Sequence, residues 1–140
     1  MQTIMELRDK FKTEVMEHLE LEEIVPVIVG FQRQGDIAIY PTPARDTKNL
    51  QPIPAEGVIV VRGENGGNTH TLLADINSGV LISMNPSPSV NDLVLGTLVV
   101  PEGKVAYLSH PEHGFNAIGE GTYNIKRQRQ QSDVERFIAD

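Results

Sequence analysis

The chain has no cysteine and no tryptophan, and few other aromatic residues. Without cysteine there is no thiol nucleophile, no disulfide and no thiolate metal site. Scarce aromatics leave no stacking platform for single-stranded nucleic acid. Basic residues are also in deficit. Twelve Lys+Arg stand against nineteen Asp+Glu, for a formal charge of -7, which opposes the phosphate neutralisation on which nucleic-acid affinity rests. Long apolar runs are missing too. None approaches the roughly 18 residues of a membrane span, and the opening "MQTIMELRDKFKTEVMEHLE" is too charged for a signal peptide. These absences point to a chain that binds neither nucleic acid nor membrane and sits in the cytoplasm, whether of a bacterial cell or of a virus-infected one.

What is present suits one domain. At 140 residues a chain buries about 70% of its unfolded surface and needs no covalent staple. Ile4, Leu7, Phe11, Val15 and Leu19 recur at three- and four-residue intervals, which predicts an amphipathic helix from Thr3 to about residue 20. Thr3 and Glu6 have capping-box spacing, and Pro26 bars continuation. The expected organisation is an N-terminal helical segment over 1–23 and a β domain over 24–140.

From residue 24 the period becomes strand-like. "VPVIVGF", "DIAIYP", "GVIVVRG", "HTLLAD", "GVLISM", "LVLGTLVV", "KVAYLS", "FNAI" and "TYNIKRQR" are short and rich in Val, Ile and Leu. "DINSG", "VVPEGKV" and "IGEGTY" read as hairpin turns between successive strands. The predicted fold is therefore mainly β: a compact sandwich or distorted barrel of eight or nine short strands with an added N-terminal amphipathic helix. Two proline-bearing stretches, "YPTPARDTKNLQPIPAEG" and "MNPSPSVND", read as surface loops. Ser132 and Glu135 repeat the capping-box spacing before Phe137 and Ile138, which predicts a short C-terminal helical turn.

Chemistry is concentrated in "SHPEHG". In a straight strand, His110 and His113 would point to opposite faces. Pro111 presets a type I turn and Gly114 releases the chain after it, so the two imidazoles come to one side with Glu112 at the tip. His70 opens another strand. His70, His110 and His113, with Glu112 as fourth ligand or acid–base group, would suit a divalent metal such as zinc. The alternative is a solvated turn with no ligand. "VRGENGGNTH" lacks the Gly-Lys-Ser/Thr ending of a phosphate loop. Ser109 adjoins His110 in the chain, a poor geometry for a nucleophile and its base. Lys126, Arg127 and Arg129 in "YNIKRQRQ" read as a strand end entering solvent.

The order of "RQGDIAIYP", "GENGGNTH", "HPEHGFNAIGEGTYNIKRQRQ" and "ERFIAD" resembles a family of small uncharacterised proteins of bacteria and phages. The resemblance covers about residues 32 to 140. It implies interest in His70, His110, Glu112 and His113, which match that family's histidine elements, and it supplies no activity. Where the family often has a first histidine, this chain has Asn68. The function expected is a non-enzymatic accessory or structural interaction module, forming a homo-oligomer or joining a larger protein assembly. The alternative is a metal-binding protein or metal-dependent enzyme using His70, His110 and His113.

Overall fold

The computed structural model describes residues 1–16, 19–43, 49–61, 69–85 and 94–127. The expected C-terminal helical turn, Arg129, most of the glycine-rich stretch and parts of both proline-bearing loops lie outside the described residues.

The first elements are β1 (Gln2–Thr3) and α1 (Ile4–Phe11). Thr3 caps the helix as its spacing predicts. The Thr3 amide donates to the Glu6 carboxylate (3.0 Å) and the Glu6 amide donates to Thr3 Oγ1 (3.1 Å). The helix is shorter than predicted. Lys12 turns left-handed (φ 54°) and its N–H returns to the Arg8 carbonyl. The Met16 N–H then donates to the Pro111 carbonyl at 2.8 Å. A tertiary contact thus captures the chain where propensity alone would have continued the helix. Phe11, Val15 and Leu21 nevertheless pack on the same buried cluster as Ile4 and Leu7.

The remaining strands are β2 (Ile24–Val25), β3 (Val27–Ile28), β4 (Gln32–Gln34), β5 (Ile37–Pro41), β6 (Gln51–Pro52), β7 (Val58–Val61) and β8 (His70–Ala74). They continue with β9 (Leu81–Met84), β10 (Val94–Val100), β11 (Ala106–His110), β12 (Gly114–Ile118) and β13 (Gly121–Arg127). Two sheets form a sandwich with no closed barrel. One has six strands in the order β4-β5-β13-β10-β9-β6, the other five in the order β3-β12-β11-β8-β7. β1 and β2 make a small separate pair.

Period-2 alternation distributes the five-stranded sheet between two cores. Leu72, Ala74, Ala106, Leu108 and Ile118 face the six-stranded sheet, where they meet Ile37, Ile39, Leu98, Tyr123 and Ile125. Leu73, Tyr107, Phe115 and Ala117 face outward and are covered by α1 through Ile4 and Leu7. β11 is buried along its whole length because it lies between these two cores.

The three turns read as hairpins behave differently. β8 lies in the five-stranded sheet and β9 in the six-stranded one, so "DINSG" crosses between layers. "VVPEGKV" and "IGEGTY" likewise carry β10 to β11 and β12 to β13 across the sandwich. Turn chemistry reverses the chain but does not choose the partner strand. The tight hairpins are instead β4–β5, through Gly35 and Asp36, and β11–β12, through residues 111–113.

Candidate functional site: a histidine cluster at one end of the sandwich

His70 has the parity of Leu72 and Ala74, and His110 that of Ala106 and Leu108. Both therefore point into the layer between the sheets. The register of β8 against β11 pairs Ser109 with Thr71, so the next positions, His110 and His70, come side by side. Their ring centroids are 4.4 Å apart. The β11–β12 turn then folds His113 back, with its centroid 4.6 Å from that of His110 and 6.4 Å from that of His70. His70 and His110 are each 6% exposed, far from the solvated histidines of a bland turn, while His113 is exposed. Glu112 occupies the exposed tip of the turn.

Each imidazole plays a distinct part. His110 Nδ1 accepts the backbone N–H of Glu112 (3.1 Å) and of His113 (3.2 Å). The proton of neutral His110 therefore sits on Nε2, and the ring caps its own turn. His70 Nδ1 lies 2.9 Å from Gln34 Oε1. The Gln34 amide nitrogen is committed to the Leu108 carbonyl at 2.8 Å, so its oxygen accepts from His70 Nδ1–H. His70 Nε2 then carries a lone pair. Among the described residues no hydrogen bond holds the His113 ring.

Asp36 completes the cluster, and the sequence reading missed it. Its Oδ2 accepts from Arg127 Nε at 3.2 Å, while its Oδ1 lies 3.7 Å from His70 Nε2. The His70–Asp36 contact is not an ion pair near neutral pH. Burial, reinforced by the neighbouring His110 imidazole, pushes the His70 pKa down to about 4, against the opposing pull of Asp36. Burial also lowers the His110 pKa, with His113 acting in the same sense. A lone pair on His70 thus faces a carboxylate oxygen.

Gly35 permits this packing. Its φ is +59°, and a Cβ there would stand 3.2 Å from His113 Nε2 and 3.5 Å from His70 Cε1. Glycine at the first position of a two-residue hairpin suits a type II′ turn. That Gly-Asp pair between two short runs was the signal from which Gln34 and Asp36 were recoverable. Among the described residues no three His, Asp or Glu side chains already stand close enough to hold a metal ion.

The fold and cluster define a β-sandwich domain with a half-buried polyhistidine end. By sequence the chain belongs to the family described as a domain of unknown function, DUF8820, whose model matches residues 33–128. That span includes the three histidines, Gln34, Asp36 and Arg127, and excludes α1. No curated protein and no solved structure matches the chain. Among the described residues no helix is long and apolar enough to cross a membrane.

Proposed function

We propose that this domain binds a divalent transition-metal ion, zinc or a similar borderline cation, through His70, Asp36 and His113. The observation that carries the reading is the meeting of two acceptors: the His70 Nε2 lone pair and Asp36 Oδ1, 3.7 Å apart. Two donors at that separation, each about 2.1 Å from one ion, subtend roughly 124° there, wider than tetrahedral and close to trigonal. Gln34 supplies the outer acceptor that orients a ligating imidazole. His113 is exposed, so a turn of its side chain brings in the third donor and gives a two-histidine, one-carboxylate set. His110 stands outside this ligand set because its Nδ1 already closes the turn.

Titration of chelator-treated protein with zinc, and with cobalt(II) for its visible spectrum, tests the proposal. One equivalent should bind to the natural chain, and binding should vanish in a His70→Ala, Asp36→Ala double variant that retains its β-sheet circular dichroism. Equal binding by both proteins, or none by either, would refute it.

A second reading concerns assembly. Ile24, Val27, Ile28, Val29 and Phe31 are all exposed within one eight-residue run at the β3 edge of the five-stranded sheet. Natural sheets cover or charge such edges. A second copy pairing the same edge about a two-fold axis would cover it with a self-complementary surface. An accessory role in a bacterial or phage assembly, in the cytoplasm or the virion, accords with this. Light scattering should give a dimer for the natural chain and a monomer for Val29→Lys; a monomeric natural chain would end this reading.

A further inference from the structure

Three amide side chains link the histidine cluster to the middle of the sandwich edge, and all point the same way. Gln34 Nε2 donates to the Leu108 carbonyl (2.8 Å) and to Asn116 Oδ1 (3.1 Å). Asn116 Nδ2 donates to the Arg33 carbonyl (2.9 Å) and to Gln32 Oε1 (3.0 Å). Gln32 Nε2 donates to the Ala117 carbonyl (3.2 Å). Every amide nitrogen therefore faces a backbone carbonyl, which can only accept. Turning any of the three over would set oxygen against oxygen and break two hydrogen bonds at once. Gln32 and Gln34 are buried, so water does not compensate such a flip.

The only orientation left to Gln34 presents its Oε1 to His70 Nδ1 at 2.9 Å. We infer that Gln34, held by the Gln32–Asn116–Gln34 relay, is a positioning residue that locks His70 as its Nδ1–H tautomer and delivers the Nε2 lone pair to Asp36. Without the lock, the Nε2–H form would turn a proton instead of a lone pair towards Asp36 Oδ1, 3.7 Å away, and leave no acceptor on that side of the ring. The relay thus holds His70 in the form that accepts a cation or a proton on the Asp36 side. It deepens the metal reading but stands on hydrogen bonds alone.

Long-range proton–nitrogen correlation spectra of labelled protein, recorded in chelator near neutral pH, read the tautomer directly. His70 should show a pyrrole-type Nδ1 and a pyridine-type Nε2. Gln34→Met, which keeps the length and removes the acceptor, should invert the pattern to Nε2–H. A natural chain already in the Nε2–H form overturns the inference, as does a folded Gln34→Met that keeps Nδ1–H. If Gln34→Met does not fold, the spectrum of the natural chain alone decides. A locked tautomer in a protein that binds no zinc would refute the metal reading and leave this inference standing.

Discussion

Acid should unfold this protein partly through His70. Unfolded, the side chain takes up a proton near pH 6.5; folded, it does so only near pH 4. Between those values the unfolded state binds more protons, so stability falls as the pH drops through that window and is unaffected by His70 above it. From about pH 7.5 to about pH 4.5 the linkage amounts to roughly 2.5 kcal/mol at about 1.36 kcal/mol per pKa unit. His110 shifts in the same direction and adds to the loss. Urea unfolding in chelator at several pH values measures the effect, with His70→Gln as the reference that lacks the titrating ring. The natural chain should lose about 2.5 kcal/mol more than His70→Gln across that range. Parallel pH profiles for the two proteins would refute the reasoning. A natural chain that gains stability towards acid would show that His70 and Asp36 form an ion pair instead.

Two further substitutions probe the frame that holds the cluster. Leu7 of α1 is fully buried against the outer face of the five-stranded sheet, so Leu7→Ala should cost about 3 kcal/mol in urea unfolding while the β-sheet signal persists. Gly96 lies where β10 passes β9, and a Cβ there would stand 2.7 Å from the Ser83 carbonyl oxygen; Gly96→Ala should lower stability by about 1–3 kcal/mol, seen as a lower melting temperature.

The spacing of Ile4, Leu7, Phe11, Val15 and Leu19 was legible as burial but not as helix length. Ile4, Leu7, Phe11 and Val15 share a core although the helix stops at Phe11, because a side chain repeats its contact whether the backbone coils or bends. The period-2 segments located most of the long strands. They were silent on which sheet each joins, since Asp75–Gly79 and Pro101–Lys104 reverse the chain equally well within a layer or between layers. The approach of His110 to His113 was readable from Pro111 and Gly114. The approach of His70 was not, because it depends on the β8–β11 register. Gln34 and Asp36 escaped notice because β4 has only three residues, "QRQ", none of them apolar, and buries two glutamines in an amide network that hydropathy cannot register.

Buried polar clusters rarely repay their desolvation better than apolar packing would, so each member of this one needs a reason. Gln32, Gln34 and Asn116 have one: they hydrogen-bond backbone carbonyls of facing strands and join the two sheets at that edge. His110 has another, as the cap of the turn at Pro111. Neither reason covers Asp36 Oδ1, which stands 3.7 Å from the lone pair on His70 Nε2. Asp36→Asn isolates that remainder. Once the 3.7 Å gap closes to hydrogen-bonding distance, its amide donates to His70 Nε2 and turns an acceptor–acceptor contact into a bond worth about 1 kcal/mol. The exposed pair with Arg127 that it weakens is worth less. In chelator, therefore, Asp36→Asn should stabilise the fold modestly while abolishing zinc binding, as expected where a site is kept for function at the expense of stability. A variant that is less stable than the natural chain in chelator would show Asp36 to be a structural carboxylate. One that still binds zinc as tightly would remove it from the ligand set.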